Sequence, residues 1–413
     1  VNSAIPLREY ALVFATAVAV TFVVTGIVRI VARKIGAVTP IRDRDVHSVP
    51  TPRLGGVAVY IGVAAAFLMA RNLPTLKDAF AGNTEILAVL IAGGLICLVG
   101  VLDDRFDLDA ISKLAGQILA AGLLVVFGVQ WLIIQLPGSA EDGPTTLVFG
   151  RNEQVIITVL LTVLLINAMN FIDGLDGLLA GVALISAAAT FIFSVHQYTT
   201  STAASAAPPP LMAAALAGAC IGFLPHNFFP AKIFMGDSGA MFIGLLMAAA
   251  ISSASFKVDP SLFGLRTNIA LLAPLIVALA VVFIPVLDFL LAVIRRTMAG
   301  KSPLTADKRH LHHRMLAIGH SHRQAVLIFY LWALVVAGGA VSLALVARWQ
   351  DMIYWWLASV ALALVVSVQP LLRAQSRKQR RERLEADARA LGGSINLQKR
   401  SSPSRTKAEG TDV

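Results

Sequence analysis

Apolar residues fill the chain in long runs separated by short polar segments. The runs lie near 10–30, 56–72, 86–102, 114–131, 154–170, 175–195, 210–225, 237–256, 269–294, 324–347 and 352–372. A helix needs roughly 20 apolar residues to cross a bilayer. The pattern therefore predicts an all-α, polytopic integral membrane bundle of eleven transmembrane helices. The first run is too long for a signal peptide and its flanks are wrong for one. Arg8 and Glu9 precede it, whereas Arg29, Arg33 and Lys34 follow. It reads as a transmembrane helix with the N-terminus outside, and the odd count then puts the C-terminus in the cytoplasm. With this parity, 27 of the 34 lysines and arginines fall on the cytoplasmic side, as basic residues do in cytoplasmic loops. The segments left outside, such as 131–153 and 196–209, are polar or Pro-rich, and no chemistry is visible in them.

Composition agrees with the pattern. Hydrophobic residues make up 57% of the chain, charged residues 14%, and the mean hydropathy is +0.76. A soluble chain of this length would carry far more charge. One transmembrane domain, 1–372, takes nearly all of the sequence. The basic remainder, 373–413, reads as a disordered cytoplasmic tail whose first part is suited to an anionic leaflet. The net charge of +10 needs no nucleic-acid partner, because loop charge bias accounts for it. Cys97 and Cys220 both lie in apolar runs and read as core residues, not as a disulfide or a metal site.

The polar residues left over collect on one side. The cytoplasmic loops are 31–55, 103–113, 170–175, 226–237 and 295–323, and each carries a motif. A transporter would place ionisable groups at mid-membrane, yet only Asp288 lies clearly inside a span. An enzyme joining a cytosolic substrate to a lipid headgroup needs its groups at the inner interface. Asp103 and Asp107 are four residues apart, so a helical turn would bring them together, where a cation or a shared proton would relieve their repulsion. Lys113 follows and can meet a phosphate or snorkel at the membrane edge. Asn167, Asn170, Asp173 and Asp176 would spread around a continuous helix. Gly174 and Gly177 predict a break that lets them converge. Oxygen donors beside glycines suit a hard cation and a phosphate. Asp237 follows Gly236 at the start of a predicted helix, and Phe234 can stack on a base or pack at the interface. The 295–323 loop gathers arginines, lysines and histidines that suit a sugar diphosphate. It has no Cys and no zinc framework.

These motifs resemble, in order, those of the polyprenyl-phosphate N-acetylhexosamine-1-phosphate transferases, a glycosyltransferase family 4 type. The residues carrying the resemblance are Thr51-Pro-Arg-Leu-Gly-Gly56, Asp103-Asp-Arg-Phe-Asp107, Asn167 to Leu178, Phe234-Met-Gly-Asp-Ser-Gly239 and His310-Leu-His-His-Arg314. They span about residues 8–372. The branch that transfers phospho-MurNAc-pentapeptide carries three consecutive histidines and a Thr-Pro-Thr-Met-Gly-Gly stretch. Both departures here favour the N-acetylglucosamine branch.

The resemblance implies transfer of N-acetylglucosamine-1-phosphate from UDP-N-acetylglucosamine to undecaprenyl or decaprenyl phosphate, releasing UMP, with Mg2+ (or Mn2+ in its place) as cofactor. It implies a multi-pass protein of the cell membrane, with its active site facing the cytoplasm, and allows a homodimer. It points to Asp237 as the first metal ligand, beside Asn170, with Asp104 or Asp173 as further ligands. Asp103 would accept the lipid phosphate's proton, and an Asp acting as a covalent nucleophile stays open as an alternative. Lys113 would bind the lipid phosphate, and Asn227 and Phe234 would hold uracil. Asp176, Asn167, His310, His312, His313 and Arg314 would bind nucleotide, diphosphate and sugar, with Arg295, Arg296 and Arg53 as further contacts. A lipid-linked sugar transporter and a non-catalytic scaffold are the readings from other classes. The first predicts no UMP release, and the second leaves five ordered motifs unused.

Overall fold

A computed structural model describes residues 5–38, 50–131, 133–136, 145–200, 208–256, 268–298, 300, 311–345, 350 and 352–370. Long apolar segments become helices because a helix pairs its own backbone groups, which hydrocarbon cannot do. In chain order they are α1 Leu7–Lys34, α2 Gly55–Ala70, α3 Glu85–Phe106, α4 Ala110–Val126, α5 Arg151–Ile172, α6 Leu178–Thr200 and α7 Pro208–Asn227. There follow α8 Gly236–Phe256, α9 Asn268–Val281, α10 Phe283–Met298, α11 Leu311–Ile318 and α12 His322–Leu345. Met352–Pro370 forms α13. Among the described residues, α1, α3, α5, α6, α7, α8, α12 and α13 are the eight helices long and apolar enough to cross a membrane. The compact unit that contains the bundle ends at Ser367. The tail read as disordered, 373–413, lies outside the described residues.

Three elements differ from the pattern-based expectation. The apolar run at 269–294 is not one straight helix. It breaks between α9 and α10, whose axes differ by 68°. Pro285 stands in the first turn of α10, has no N–H to give to the carbonyl of Val281, and so ends the continuous ladder there. The segment 131–153 is not featureless either. Ile133–Leu136 (β1) and Thr145–Val148 (β2) pair antiparallel, with Ile133 opposite Val148. Both are β-branched or apolar stretches flanking the Pro and Gly turn residues, so the fold is nearly, not wholly, helical. The three prolines at 208–210 begin α7 instead of ending a loop, since the first turn of a helix has no acceptor for their missing N–H groups.

The centre of the bundle is α8, 94% of whose most apolar stretch is buried, against 11% for α13. It is rich in Gly, Ala and Ser, which let backbones approach closely in a membrane bundle. A Cβ on Gly56 of α2 would fall 1.9 Å from the backbone nitrogen of Gly239 of α8. One on Gly100 of α3 would fall 2.3 Å from Cα of Ser238. Three helices therefore meet at backbone contact where α8 begins. The segment before α2 also pairs with the approach to α8. Phe234 N donates to Pro52 O at 2.8 Å, Gly55 N to Phe234 O at 3.0 Å, and Gly56 N to Met235 O at 2.9 Å. The Thr51–Gly56 and Phe234–Gly239 motifs are thus two sides of one piece of structure.

Candidate active site

The polar motifs meet at one end of the bundle, where α3 and α5 finish and α4, α6 and α8 start. Asp103 and Asp104 occupy the last turn of α3 and are buried, 4% and 8% exposed. Asp107 leaves the helix with φ 49° and is exposed. The turn expected between them is formed, with the Asp107 N–H donating to the Asp103 carbonyl at 2.9 Å, but the Asp107 side chain is exposed while that of Asp103 is buried. Asp103 keeps its geometry by accepting the Leu108 N–H at 2.8 Å. Its other oxygen forms an ion pair with Lys113 Nζ, from the first turn of α4. The same ammonium lies 3.1 Å from Asp237 Oδ2 at the start of α8. Asn170 Nδ2, from the last turn of α5, reaches that oxygen at 3.4 Å. Four helices thus contribute Asp103, Lys113, Asn170 and Asp237 to one cluster.

Asp104 caps the start of α8 from another helix. Its Oδ1 accepts the Asp237 N–H at 3.0 Å, and its Oδ2 accepts the Ser238 N–H at 3.2 Å and the Ser238 hydroxyl at 3.0 Å. The first N–H groups of a helix have no partner within it, and a carboxylate suits the positive end of the helix dipole. Gly236 precedes this contact with φ 73°. A Cβ there would sit 2.4 Å from Asp104 Oδ2, so a glycine is required on both counts.

Asp173 follows α5 at the expected helix break. Burial pushes its carboxyl up to about 8, the carboxylates of Asp237, Asp104 and Asp176 push the same way, and Arg53 offsets part of the rise. Arg53 thus lies close enough to act on it, on the segment that pairs with Phe234 and Met235. Burial and repulsion together favour a proton or a cation here.

The other candidates take different places. Asn167 lies one turn deeper than Asn170 and pairs with Gln117 of α4, 2.7 Å from its Nδ2 to Gln117 Oε1. Asp176 and Asn227 are both 3% exposed and brace loops. Asp176 Oδ2 accepts the Ala231 N–H at 2.8 Å, Asn227 Oδ1 accepts the Gly177 N–H at 3.0 Å, and Asn227 Nδ2 donates to Ile233 O at 3.0 Å. Phe234 is half-buried in the segment they hold. On the basic segment, Arg296 is buried with its guanidinium 5.1 Å from the centre of the Phe171 ring. Arg295 is half-buried. His313 is half-buried and Arg314 exposed, both on α11. His310 and the side chain of His312 lie outside the described residues.

Four further side chains shape this end of the bundle. Ser238 and Gln117 carry the contacts given above. His322 Nε2 accepts the Asp176 N–H at 3.0 Å, and its ring stacks on Phe229 at 4.5 Å. Asp288 Oδ1 accepts the Leu311 N–H at 2.9 Å and so caps α11. Gln117 and Asp288 were signalled by their position, as polar residues inside apolar runs. Ser238 and His322 had no such signal.

Among the described residues, no three acidic, histidine or cysteine side chains converge as a ready-made metal cage. Magnesium seldom needs one. It binds through one or two carboxylates and completes its shell with water and substrate phosphates. The carboxylates of Asp237 and Asp173 and the amide of Asn170 are hard oxygen donors of that kind, so the residues fit.

The match to known proteins runs through the same elements. The family model for glycosyl transferase family 4 matches residues 86–255, from α3 through α8. A decaprenyl-phosphate N-acetylglucosaminephosphotransferase of Mycolicibacterium smegmatis is 49% identical over 373 residues, 90% of this chain and 91% of its own. The protein of the same name from Mycobacterium tuberculosis is 47% identical over the same shares. A probable undecaprenyl-phosphate N-acetylglucosaminyl 1-phosphate transferase of Bacillus subtilis is 30% identical over 87% of this chain and 92% of its own. The relatives that match about nine-tenths of the chain carry the names of N-acetylglucosamine phosphotransferases, and the long apolar helices are those of a multi-pass membrane protein. The chain belongs to glycosyl transferase family 4.

Proposed function

We propose that this protein transfers N-acetylglucosamine-1-phosphate from UDP-N-acetylglucosamine to a polyprenyl phosphate, giving the polyprenyl diphosphate sugar and UMP. Decaprenyl phosphate is the preferred acceptor, in line with the names of the two mycobacterial relatives. The observation that carries the reading is the joining of Asp103, Lys113, Asn170 and Asp237 by four helices at one end of the bundle. Two anionic substrates must be brought together, so charge neutralisation and alignment should dominate catalysis.

In this reading an oxygen of the lipid phosphate attacks the phosphorus that bears the sugar. The P–O bond to UMP breaks, and UMP leaves with the bridging oxygen. Lys113 Nζ exchanges one of its carboxylate partners for the lipid phosphate. Asp103, freed at that oxygen, takes the phosphate's proton. Asp237, Asn170 and Asp173 would hold Mg2+, which supplies charge neutralisation on the diphosphate when bound. Asp104 keeps Asp237 in place through the start of α8. His313 and Arg314 on α11, together with Arg53, face the remaining diphosphate and sugar.

The membrane arrangement belongs to the same proposal. The eight long helices, the α9–α10 pair taken as one broken span, and the shorter apolar helices α2 and α4 support eleven crossings. The N-terminus is then outside, the cluster faces the cytoplasm, and the membrane is the plasma membrane. UMP release from purified protein tests the function. Polyprenyl phosphate and Mg2+ would be supplied with either UDP-N-acetylglucosamine or UDP-MurNAc-pentapeptide. Release with the first donor alone, lost on chelation, is expected. Release with the second alone, or with neither from folded protein, would refute the donor assignment.

A further inference from the structure

Directly beneath the cluster lies a second layer of polar contacts. Gln117 stands one turn along α4 from Lys113. Asn167 stands one turn along α5 from Asn170, and Met241 one turn along α8 from Asp237. Gln117 touches both of the others. Asn167 Nδ2 donates to Gln117 Oε1 at 2.7 Å, and Gln117 Nε2 lies 3.5 Å from Asn167 Oδ1 and 3.7 Å from Met241 Sδ. Asn167 Nδ2 is also fixed to its own helix, at 2.8 Å from Val163 O. Gln117 is 3% exposed.

We infer that Gln117 is a positioning residue, which, through its amide pair with Asn167 and its contact with Met241, sets the height at which Lys113 meets Asn170 and Asp237. The physics is that of register. α4 has 17 residues, and much of its surface faces away from the bundle, with Ile111, Ile118, Leu119 and Val126 all exposed. Aliphatic contacts along its inner face change little when a helix slides. A paired amide in an apolar layer does not slide cheaply, because each unmet donor or acceptor loses its hydrogen bond without water to replace it. A slip of one residue moves a helix by about 1.5 Å. That would carry the Lys113 ammonium away from a carboxylate now 3.1 Å distant. Misplacements of this size cost enzymes large factors in rate.

This inference rests on the proposed reading of the cluster as the reacting centre. The test is steady-state kinetics of the full chain in detergent, with the melting temperature of each variant measured alongside. Gln117→Met keeps the length and the contact with Met241 but removes the amide. Its kcat should fall about tenfold or more, while KM for UDP-N-acetylglucosamine stays within about twofold and folding is retained. Asn167→Ala should lower kcat similarly, and the double variant should be no worse than the worse single one, because both act through one pair. Leu119→Ala, on the outer face of α4, should turn over at the parental rate. Unchanged kcat in Gln117→Met, or effects of the two substitutions that multiply, would overturn the assignment. Should Gln117→Met fail to fold, Gln117→Asn decides, since it keeps the amide one methylene short. A parental kcat there would equally overturn it. A parental protein without turnover, or an active Asp237→Ala, would instead refute the reading of the cluster itself.

Discussion

The carboxylate of Asp104 holds the backbone of Asp237, accepting its N–H at 3.0 Å across the gap between two helices. The side chain set free by that contact is the one that Lys113 and Asn170 address. Replacing Asp104 by Ala should therefore act twice. It removes a helix cap, a loss of about 1 kcal/mol in stability, and it leaves Asp237 without a fixed origin. UMP release should fall to background in Asp104→Ala. Asp104→Asn can still accept one N–H and should keep more of its thermal stability. Melting curves and turnover on the same samples would separate the two effects.

Lys113 bridges two carboxylates that would otherwise face each other. Lys113→Met should cut turnover by about 100-fold or more, the scale of lost electrostatic stabilisation at a reacting centre. It should also raise the KM for polyprenyl phosphate more than that for the nucleotide sugar. A larger change in the nucleotide KM would contradict the assignment of Lys113 to the lipid phosphate.

Asp173 offers a handle on the metal. Its carboxyl is pushed up to about 8 by burial and its acidic neighbours, so near neutral pH the free protein holds a proton there. A cation beside it favours the ionised form and expels that proton. Apparent Mg2+ affinity should accordingly rise with pH up to about 8 and level off above it. Asp173→Asn should flatten this slope. Mg2+ titrations of UMP release at several pH values give the answer, and treatment with a chelator should abolish release until Mg2+ is returned.

Asp288 caps α11 through Leu311, and α11 carries His313 and Arg314. Asp288→Leu should weaken binding of UDP-N-acetylglucosamine, seen as a KM several-fold higher, while Asp288→Asn retains an acceptor and should fall between. An unchanged KM in Asp288→Leu would separate α11 from donor binding.

Gly56→Ala tests the close contact of α2 and α8. With Gly239 backbone in the way, overpacking should destabilise the bundle by about 1–3 kcal/mol. The expected result is a lower melting temperature with little folded protein recovered, in contrast to Gly122→Ala, where a Cβ meets nothing within 4 Å.

The apolar runs made most of the helices legible, because span length and hydropathy are local properties. The break at Gly174 and Gly177 was legible for the same reason: α5 ends at Ile172 and α6 begins at Leu178, although Asn170 reaches Asp237 from inside α5, ahead of the break. What escaped was decided by partners distant in sequence. Asp104 also caps the start of α8, and Asp176 and Asn227 also take the N–H groups of Ala231 and Gly177, structural contacts that no local pattern announces. Asn167 shares its spacing with Asn170 yet turns to Gln117, fifty residues away. The bend before α10 falls at Pro285, whereas Pro274 in the same apolar run is carried inside α9 without ending it, so the sequence alone did not say which proline would bend the run.

The meeting of Gly56, Gly100 and Gly239 has a consequence for how such an enzyme can diversify. Where backbones touch, no side-chain volume is available to trade, so this floor can be kept or lost but not gradually reshaped. On the proposed function, freedom to accommodate a different sugar or a longer lipid would be left to the walls, meaning the segment around Arg53, the 226–235 loop and α11. Two such enzymes with different donors should then superpose closely beneath their phosphates and diverge above them.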